Sequence, residues 1–324
     1  MAIYLNDLIG RIPPTVESRV KRVRDQTRSV IQEALRTECR LHMRTPEDAA
    51  NNRPGAQVPV EVSPGYPAIL QAVQFPDDFE LILLLSRYRA TLEQAKSGTA
   101  GLRKLRDDLL HIHQGERWVD VESSTLVAVE AWSDKLLTLL HQNDPLDKLL
   151  AIRGDFLGLY EFDTGDYWVE DHHVNRASIK LYWGVIGLAA QWLGCEVEDL
   201  TIVVLTHELA HAYTQLGADI ESRRWAAPVF ARTDAGVVEG LAQYYTDRVL
   251  RRLEKRFPEA FKAYETMLPR QPEEYRTHEK WVREYSPEAV RRAMLEVRRW
   301  RELSLTNFNR RLIEAHHELH PADV

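Results

Sequence analysis

The segment from residue 198 to residue 216 constrains the fold more than any other part of the chain, because its apolar residues surround a predicted helix. These residues are Leu200, Ile202, Val203, Val204, Leu205, Leu209, Ala210, Ala212, Tyr213 and Leu216. A helix that is apolar nearly all round is buried in a core rather than laid on a surface. We therefore expect this helix to cross the centre of a domain.

Two histidines and a glutamate interrupt the apolar helix, in the sequence His207-Glu208-Leu209-Ala210-His211. Buried charged groups are costly unless they are paired, so these side chains need partners. His207 and His211 are one helical turn apart, and both imidazoles therefore leave the same face and can bind one ion. For an isolated pair of this spacing, histidines that make structural hydrogen bonds are the alternative interpretation.

Zinc is the ion that this pattern favours, since it binds imidazole nitrogen and prefers four ligands in a tetrahedron. Two histidines from one helix leave zinc needing one further protein ligand and a position for water. Zinc lowers the pKa of bound water towards neutrality, and Glu208 can accept its proton as the water attacks a carbonyl. The chain is therefore predicted to bind one Zn²⁺, with Glu208 as general base.

Glu239 is the candidate for the third protein ligand. It lies in "GVVEGLAQYYTDRVL", residues 236–250, at the start of a second predicted helix downstream of His211. A glutamate at this end of a helix is also favoured by the helix dipole, an explanation that requires no metal. The combination with the two histidines favours the metal ligand.

Together, "VVLTHELAHAY" and "VVEGLAQYY" resemble the gluzincin group of zinc metallopeptidases, in which H-E-x-x-H on one helix and a glutamate on the next complete the zinc site. The resemblance implies that His207, His211 and Glu239 bind zinc and that Glu208 is the general base. Thermolysin-like members carry an aspartate four residues after the third ligand, whereas this chain has Gln243 there. A zinc ligand is usually held in place by a hydrogen bond from a neighbouring side chain. Gln243, Asp247 and Asp234 are the candidates for this partner, and the sequence does not select one of them.

The same resemblance, which covers residues 178–247, implies a substrate-binding strand. Zincins place an edge strand above the active-site helix, where it pairs with an extended peptide. The segment "SIKLYW", residues 178–183, alternates in a way that suits a half-exposed edge strand. Lys180 and Tyr182 on this strand are the predicted substrate-binding residues, and an edge strand without a ligand is the alternative.

A peptidase of this type also needs a hydrogen-bond donor for the oxyanion that develops on the attacked carbonyl. The resemblance implies a tyrosine or histidine from the downstream helical half. The chain offers Tyr245, Tyr275, His278 and Tyr285. No motif selects one of them, and Tyr245 is taken as the candidate.

The chain as a whole is predicted to be α+β, predominantly α. Residues 1–150 are expected to form a helical N-terminal region with a Pro- and Gly-rich connection at about 45–67. Residues 151–324 are expected to form a zincin-like metallopeptidase domain with a small antiparallel sheet, the active-site helix and a helical C-terminal half. In that half, helices are predicted at about 258–267, 272–284 and 287–316, each with a proline in its first turn. Aromatic and β-branched residues before residue 183 predict two or three short strands.

Composition and charge exclude several other classes of protein. The 324 residues are 44% apolar and 28% charged, ordinary values for a globular chain, and the net charge of −7 gives no general attraction to nucleic acid or membrane lipid. Cys39 and Cys195 lack the spacing of a thiolate metal site or a disulfide framework. Without a signal segment or an apolar run of about 18 residues, the chain is expected to be cytoplasmic.

Three hypotheses about function follow. The first is a zinc metallopeptidase that acts on a peptide or protein substrate. The second is a regulatory or scaffold protein on a zincin fold, in which the metal is structural or absent and the N-terminal helices bind a protein partner. The third is a zinc hydrolase that cleaves a non-peptide bond, since activated water does not specify the bond.

Overall fold

A computed structural model describes most of the chain. The described residues are 3–44, 56, 58–75, 82, 85, 88–110, 123–150, 156–163, 168–169, 172–173, 177–301 and 304–320. They divide into two compact units, the first comprising Met1–Leu5 and Val73–Leu149 and the second comprising Asn6–Ala72 and Leu150–Val324. None of the helices in these ranges has the length and apolar character needed to cross a membrane.

Helices make up most of the described residues. In chain order they are α1 (Leu5–Ile9), α2 (Thr15–Cys39), α3 (Arg89–Leu110), α4 (Ser123–Asn143), α5 (Pro145–Leu150), α6 (Trp183–Leu193), α7 (Val197–Leu216), α8 (Ala227–Phe230), α9 (Ala235–Leu253), α10 (Pro258–Met267), α11 (Glu273–Arg276), α12 (His278–Glu284), α13 (Pro287–Trp300) and α14 (Leu305–Leu319). Short 3-10 turns occur at Ala68–Ala72 and Leu268–Arg270. With the small sheet described next, these helices confirm the predicted class, α+β and predominantly α.

The strands are short. In chain order they are β1 (Ile3–Tyr4), β2 (Val60–Ser63), β3 (Gln74–Phe75), β4 (Gly158–Phe162), β5 (Trp168–Val169), β6 (His172–His173) and β7 (Ala177–Tyr182). β1 pairs with β3 and β5 pairs with β6, both antiparallel. The largest sheet among the described residues has the order β2-β7-β4, in which β7 runs parallel to β2 and antiparallel to β4.

This sheet corrects three predictions. It is mixed rather than antiparallel, because β2 pairs in parallel with β7 through the register Val60 to Ile179. β2 itself lies in the segment 45–67, which was predicted as a connection; residues 45–55 and 57 of that segment lie outside the described residues. The alternating pattern of residues 178–183 could not reveal a second strand partner so distant in sequence, and β7 is consequently central instead of an edge.

The first unit contains a pair of long helices. α3 packs along α4, and Arg103 on α3 forms an ion pair with Glu130 on α4 at 3.0 Å. Arg89, at the start of α3, pairs with Asp144, which directly follows α4. These contacts join the two predicted N-terminal helices into one hairpin.

The second unit is built around α7, which packs against α2, α6, α9, α10 and strands β4 and β7. Every residue from Leu200 to Leu216 is buried, which confirms that this helix crosses a core. The helix ends at Gly217, where an added Cβ would lie 2.4 Å from the Tyr213 carbonyl oxygen and 2.7 Å from Leu41 Cβ. Only glycine allows the chain to leave the helix so close to both groups.

Helix α2 belongs to this second unit, whereas the sequence analysis placed it in one N-terminal region of residues 1–150. Its apolar stripe, which includes Val20 and Leu35, is buried, and Glu38 at its end forms ion pairs with Arg248 at 2.8 Å and Arg252 at 2.6 Å on α9. The apolar periodicity showed that α2 buries one face, but it could not show against which helices.

The C-terminal half is helical, as predicted, but divided more finely. A single helix predicted over 272–284 is interrupted at Thr277 into α11 and α12. A second one, predicted over 287–316, is divided into α13 and α14, because Arg301 adopts a left-handed conformation with φ of 56°. A left-handed residue ends a helix and turns the chain.

Candidate metal centre

His207 and His211 on α7 face Glu239 on the neighbouring helix α9. The Nε2 atoms of the two histidines are 3.1 Å apart. Oε2 of Glu239 lies 3.3 Å from each of these nitrogen atoms. The structure therefore brings together, at one point, the three side chains that the sequence analysis grouped as metal ligands.

The spacing of these three atoms fits a tetrahedral zinc ion. Ligand atoms at about 2.0–2.1 Å from such an ion lie about 3.3–3.4 Å from one another, close to the observed separations. Among the described residues, no hydrogen-bond donor of good geometry reaches Oε2 of Glu239, although this atom is buried. Two imidazoles and one carboxylate are a donor set that zinc accepts and that leaves a fourth position for water.

Burial and the neighbouring histidines shift the pKa of Glu239 in opposite directions. Burial by itself would raise the pKa of this carboxyl group, but the nearby His211 and His207 outweigh it and hold that pKa well below its usual range. The carboxylate is therefore ionised, which a metal ligand requires.

Glu208 follows the first histidine and lies against strand β4. A Cβ atom added at Gly158 would be 2.6 Å from Oε1 and 2.8 Å from Cγ of Glu208. The side chain of Glu208 is buried. The missing side chain at position 158 thus makes room for the Glu208 carboxylate, a role of Gly158 that the sequence analysis missed because the two residues are 50 positions apart.

A narrow pocket of about 450 Å³, part of it open to solvent, lies over His207 and Glu208. It is lined by residues 156–158, which lead into β4, and by Gln271 and Tyr275. All of these residues belong to the second unit. The carboxylate of Glu208 therefore faces a space in which a substrate can lie.

Tyr160 on β4 supports His211 from the side. Its ring stacks on the imidazole with a centroid distance of 6.1 Å and an interplanar angle of 7°. Its hydroxyl donates a hydrogen bond of 2.6 Å to Oε1 of Gln215, one turn after His211. Neither residue was singled out in the sequence, because no local motif shows which strand residue will contact α7.

The three candidates for a hydrogen-bond partner of the zinc ligands have different surroundings. Asp234 accepts a hydrogen bond of 2.8 Å from the Gly236 backbone and caps α9, and Asp247 pairs with Arg251 at 2.8 Å. Gln243 lines the pocket instead. The three side chains thus serve a helix cap, an ion pair and a pocket wall.

Tyr245, the candidate for oxyanion stabilisation, is not among the residues that line the pocket. Its buried hydroxyl lies 3.8 Å from the Met294 sulfur, on the side of α9 that packs on α13. Tyr245 is six positions after Glu239, so it leaves the helix on another face. Tyr275 does line the pocket, and its ring stacks on His207 with a centroid distance of 5.8 Å.

His278 and Tyr285, the other two residues offered for this role, have different surroundings. Nδ1 of His278 donates to the Tyr275 carbonyl oxygen at 2.9 Å, and its Nε2 lies 3.0 Å from the Tyr264 hydroxyl. Burial lowers the pKa of His278. The ring of Tyr285 packs edge-on against His316.

Lys180 and Tyr182 do not lie on a free strand edge, because β7 is paired on both sides. The Lys180 ammonium forms an ion pair with Glu161 on β4 at 2.7 Å. Tyr182 is buried, and burial, with a smaller contribution from the Glu208 charge, raises the pKa of its hydroxyl. The predicted substrate-binding role of these two residues therefore lacks the exposed edge on which it depended.

Comparison with protein-family models, with curated proteins and with solved structures finds no match to this chain.

Proposed function

We propose that this protein is a zinc-dependent hydrolase of the gluzincin type that cleaves peptide bonds. The convergence of His207, His211 and Glu239, with ligand atoms 3.1–3.3 Å apart, carries this proposal. The pocket beside these residues and the buried Glu208 carboxylate support a catalytic rather than a purely structural metal. A structural zinc site is normally closed by four protein ligands.

When bound, zinc would supply Lewis acidity, which makes water nucleophilic near neutral pH and polarises a carbonyl group. Glu208 acts as the general base in this proposal. Glu208 lines the pocket together with the ligand His207, and its carboxylate lies against Gly158, so it can accept a proton from water and pass it to the leaving amine. The close contact with Gly158 restricts where the carboxylate can point.

Tyr275 is the proposed donor to the oxyanion. It comes from the downstream helical half, lines the pocket and stacks on the imidazole of His207. A hydroxyl group that is already oriented by the protein stabilises developing negative charge without the reorganisation that water needs. The hydrogen bond from His278 to the Tyr275 carbonyl oxygen holds this residue in place.

Strand β4 is the proposed binding edge for an extended peptide. It pairs with β7 on one side, and among the described residues no strand pairs with its other side. Its first residue, Gly158, contacts Glu208, so a peptide added to this edge would pass the general base. A sheet edge above the helix of the metal ligands is also what supports the proposal of a zincin-like core.

Metal content and one substitution test the proposal. Protein purified without chelator should hold one zinc ion per chain, and Glu208→Gln should retain the zinc and the fold but lose hydrolysis of a peptide library, read by mass spectrometry. A Glu284→Gln variant, on α12 away from the pocket, is the matched control. Absence of stoichiometric zinc would favour a regulatory or scaffold protein, and hydrolysis of esters or sugars alone would favour the non-peptide hydrolase.

A further inference from the structure

The pocket beside Glu208 has largely apolar walls. The apolar residues that line it are Leu150, Phe156 and Leu157, Val203 and Val204 from α7, and Met267 at the end of α10. Apart from Glu208 and His207, none of the described residues that line the pocket has an ionisable acidic or basic side chain. A charged group that entered this space would lose its water without gaining an opposite charge from a lysine or arginine.

Gln243 is one of the uncharged polar residues in these walls, with Gln271 and Tyr275. It lies one helical turn after Glu239 on α9, so both side chains leave the same face of the helix. The residue is buried, with only 2% of its surface exposed. Nε2 donates a hydrogen bond of 2.9 Å to Oε1 of Gln271 across the pocket wall.

The other end of this amide has no partner within the described part of the chain. Oε1 of Gln243 is buried, and no donor there reaches it. A buried acceptor without a hydrogen bond is costly and is rare in folded proteins. Since Gln243 lines the pocket, a ligand in that pocket can supply the missing donor.

We propose that Gln243 is a substrate-recognition residue: its Oε1 accepts a backbone N–H of a bound peptide while the apolar walls hold an apolar side chain. This inference rests on the proposed peptidase function and assigns its substrate class, peptides with an uncharged apolar residue beside the cleaved bond. A peptide N–H is the matching donor, because every residue except proline carries one next to its side chain. A lysine side chain would also offer a donor, but it would bury its charge against Leu150 and Phe156.

Binding to an inert protein separates recognition from turnover. The zinc-loaded full-length Glu208→Gln chain is titrated by calorimetry with four dipeptide hydroxamates, which bind metal through the hydroxamate group. Three differ only in one side chain, leucine, lysine or aspartate, and the fourth is the leucine probe with its amide nitrogen methylated. We expect the leucine probe to bind at least about tenfold more tightly than the other three, as the loss of one hydrogen bond in a buried site implies.

Gln243→Met in the same background removes the acceptor and keeps the length of the side chain. We expect it to weaken the leucine probe about tenfold and to abolish the difference between that probe and its N-methyl form. Gln191→Met, at an exposed position of α6, is the matched control and should change neither affinity. The comparison of the N–H and N-methyl probes needs no substitution at position 243. It therefore tests the proposed hydrogen bond even if Gln243→Met does not fold.

The outcomes distinguish this inference from the proposed function. Equal affinity for the leucine probe and its N-methyl form, or for the leucine, lysine and aspartate probes, would overturn the role of Gln243 and of the apolar walls while leaving the metal site intact. A chain that takes up no zinc and binds none of the four probes would overturn the proposed peptidase function, and this inference with it.

Discussion

Gly158 and Glu208 are in such close contact that a Cβ atom at position 158 would lie 2.6 Å from the Glu208 carboxylate oxygen. The same atom would lie 2.8 Å from Val204 Cγ1, one turn earlier on α7. Strand β4 and helix α7 are therefore in close contact at the proposed general base. The orientation of Glu208 depends on this contact, which no local sequence pattern shows.

Gly158→Ala is expected to reduce peptide hydrolysis by about 100-fold, because the new methyl group displaces the Glu208 carboxylate from its position by an ångström or more. Zinc stoichiometry should stay at one, since the three ligands come from α7 and α9. Kinetics together with metal analysis measure both effects. Gly98→Ala is the control: nothing lies within 4 Å of a Cβ there, and alanine should stabilise α3 by roughly 0.5–1 kcal/mol. Unchanged turnover in Gly158→Ala would contradict the positioning role.

Tyr275→Phe is expected to lower kcat by about 100- to 1000-fold with a smaller change in KM, because the hydroxyl would act only on the oxyanion that develops during the reaction. Steady-state kinetics on a peptide identified from the library measure both constants. Tyr245→Phe and Tyr285→Phe remove hydroxyl groups that lie outside the pocket and should leave kcat unchanged. An equal loss of kcat in Tyr245→Phe would return the role to that residue.

Glu239→Gln is expected to weaken zinc binding by more than the roughly 10- to 100-fold that loss of an outer hydrogen-bond partner costs, because it replaces an ionised ligand with a neutral amide. Competition with a chromophoric chelator measures the affinity at fixed pH. The control is Glu265→Gln, at an exposed position on α10. Zinc affinity that is the same in both variants would show that Glu239 pairs with the histidines without serving a metal.

His278 should make stability depend on pH. Burial lowers the pKa of this imidazole below its ordinary value near 6.5, so the folded state binds its proton less readily than the unfolded state. Its contribution is complete above about pH 6.5 and is lost as the pH falls below that value, where the unfolded chain takes up the proton first. Replacing His278 should therefore remove part of the stability loss that the protein shows at acidic pH.

Denaturant unfolding of chelator-treated protein between pH 4.5 and 7.5 measures this effect. His278→Gln should be less stable than the parent at neutral pH, because it loses the contacts with Tyr264 and the Tyr275 carbonyl, yet its stability should fall less steeply on acidification. His317→Gln, at an exposed position, should keep the parent slope. Parallel slopes in all three proteins would rule out His278 as a source of the acid sensitivity.

Much of the secondary structure could be predicted from the sequence, because helix periodicity and capping are local. The buried character of α7 followed from its uniform apolar surface, and α10 spans Pro258–Met267, the range predicted from a proline suited to the first turn of a helix. The division of the predicted helix over 287–316 could not be predicted, since a positive φ is uncommon outside glycine and Arg301 carries no turn signal.

The candidate ligand set could also be predicted, because the spacing of His207 and His211 defines one helix face and Glu239 was the acidic residue that completed the pattern. The strand prediction failed in part because a strand's own alternation does not tell how many neighbours it has. β7 gained a second partner from residues 60–63, and the free edge beside Glu208 belongs to β4.

The sequence by itself determined that one apolar helix carries two histidines and a glutamate whose side chains need partners. Helical spacing and the energetic cost of burying an ionisable side chain can both be read from a short stretch of sequence. Only the tertiary structure decided which distant residues meet them: Gly158 against Glu208, Tyr275 rather than Tyr245 at the pocket, and Gln243 with an unsatisfied acceptor in its wall. The reason is physical, because such contacts arise from the packing of α7 against β4 and α9, which no stretch of the chain encodes alone.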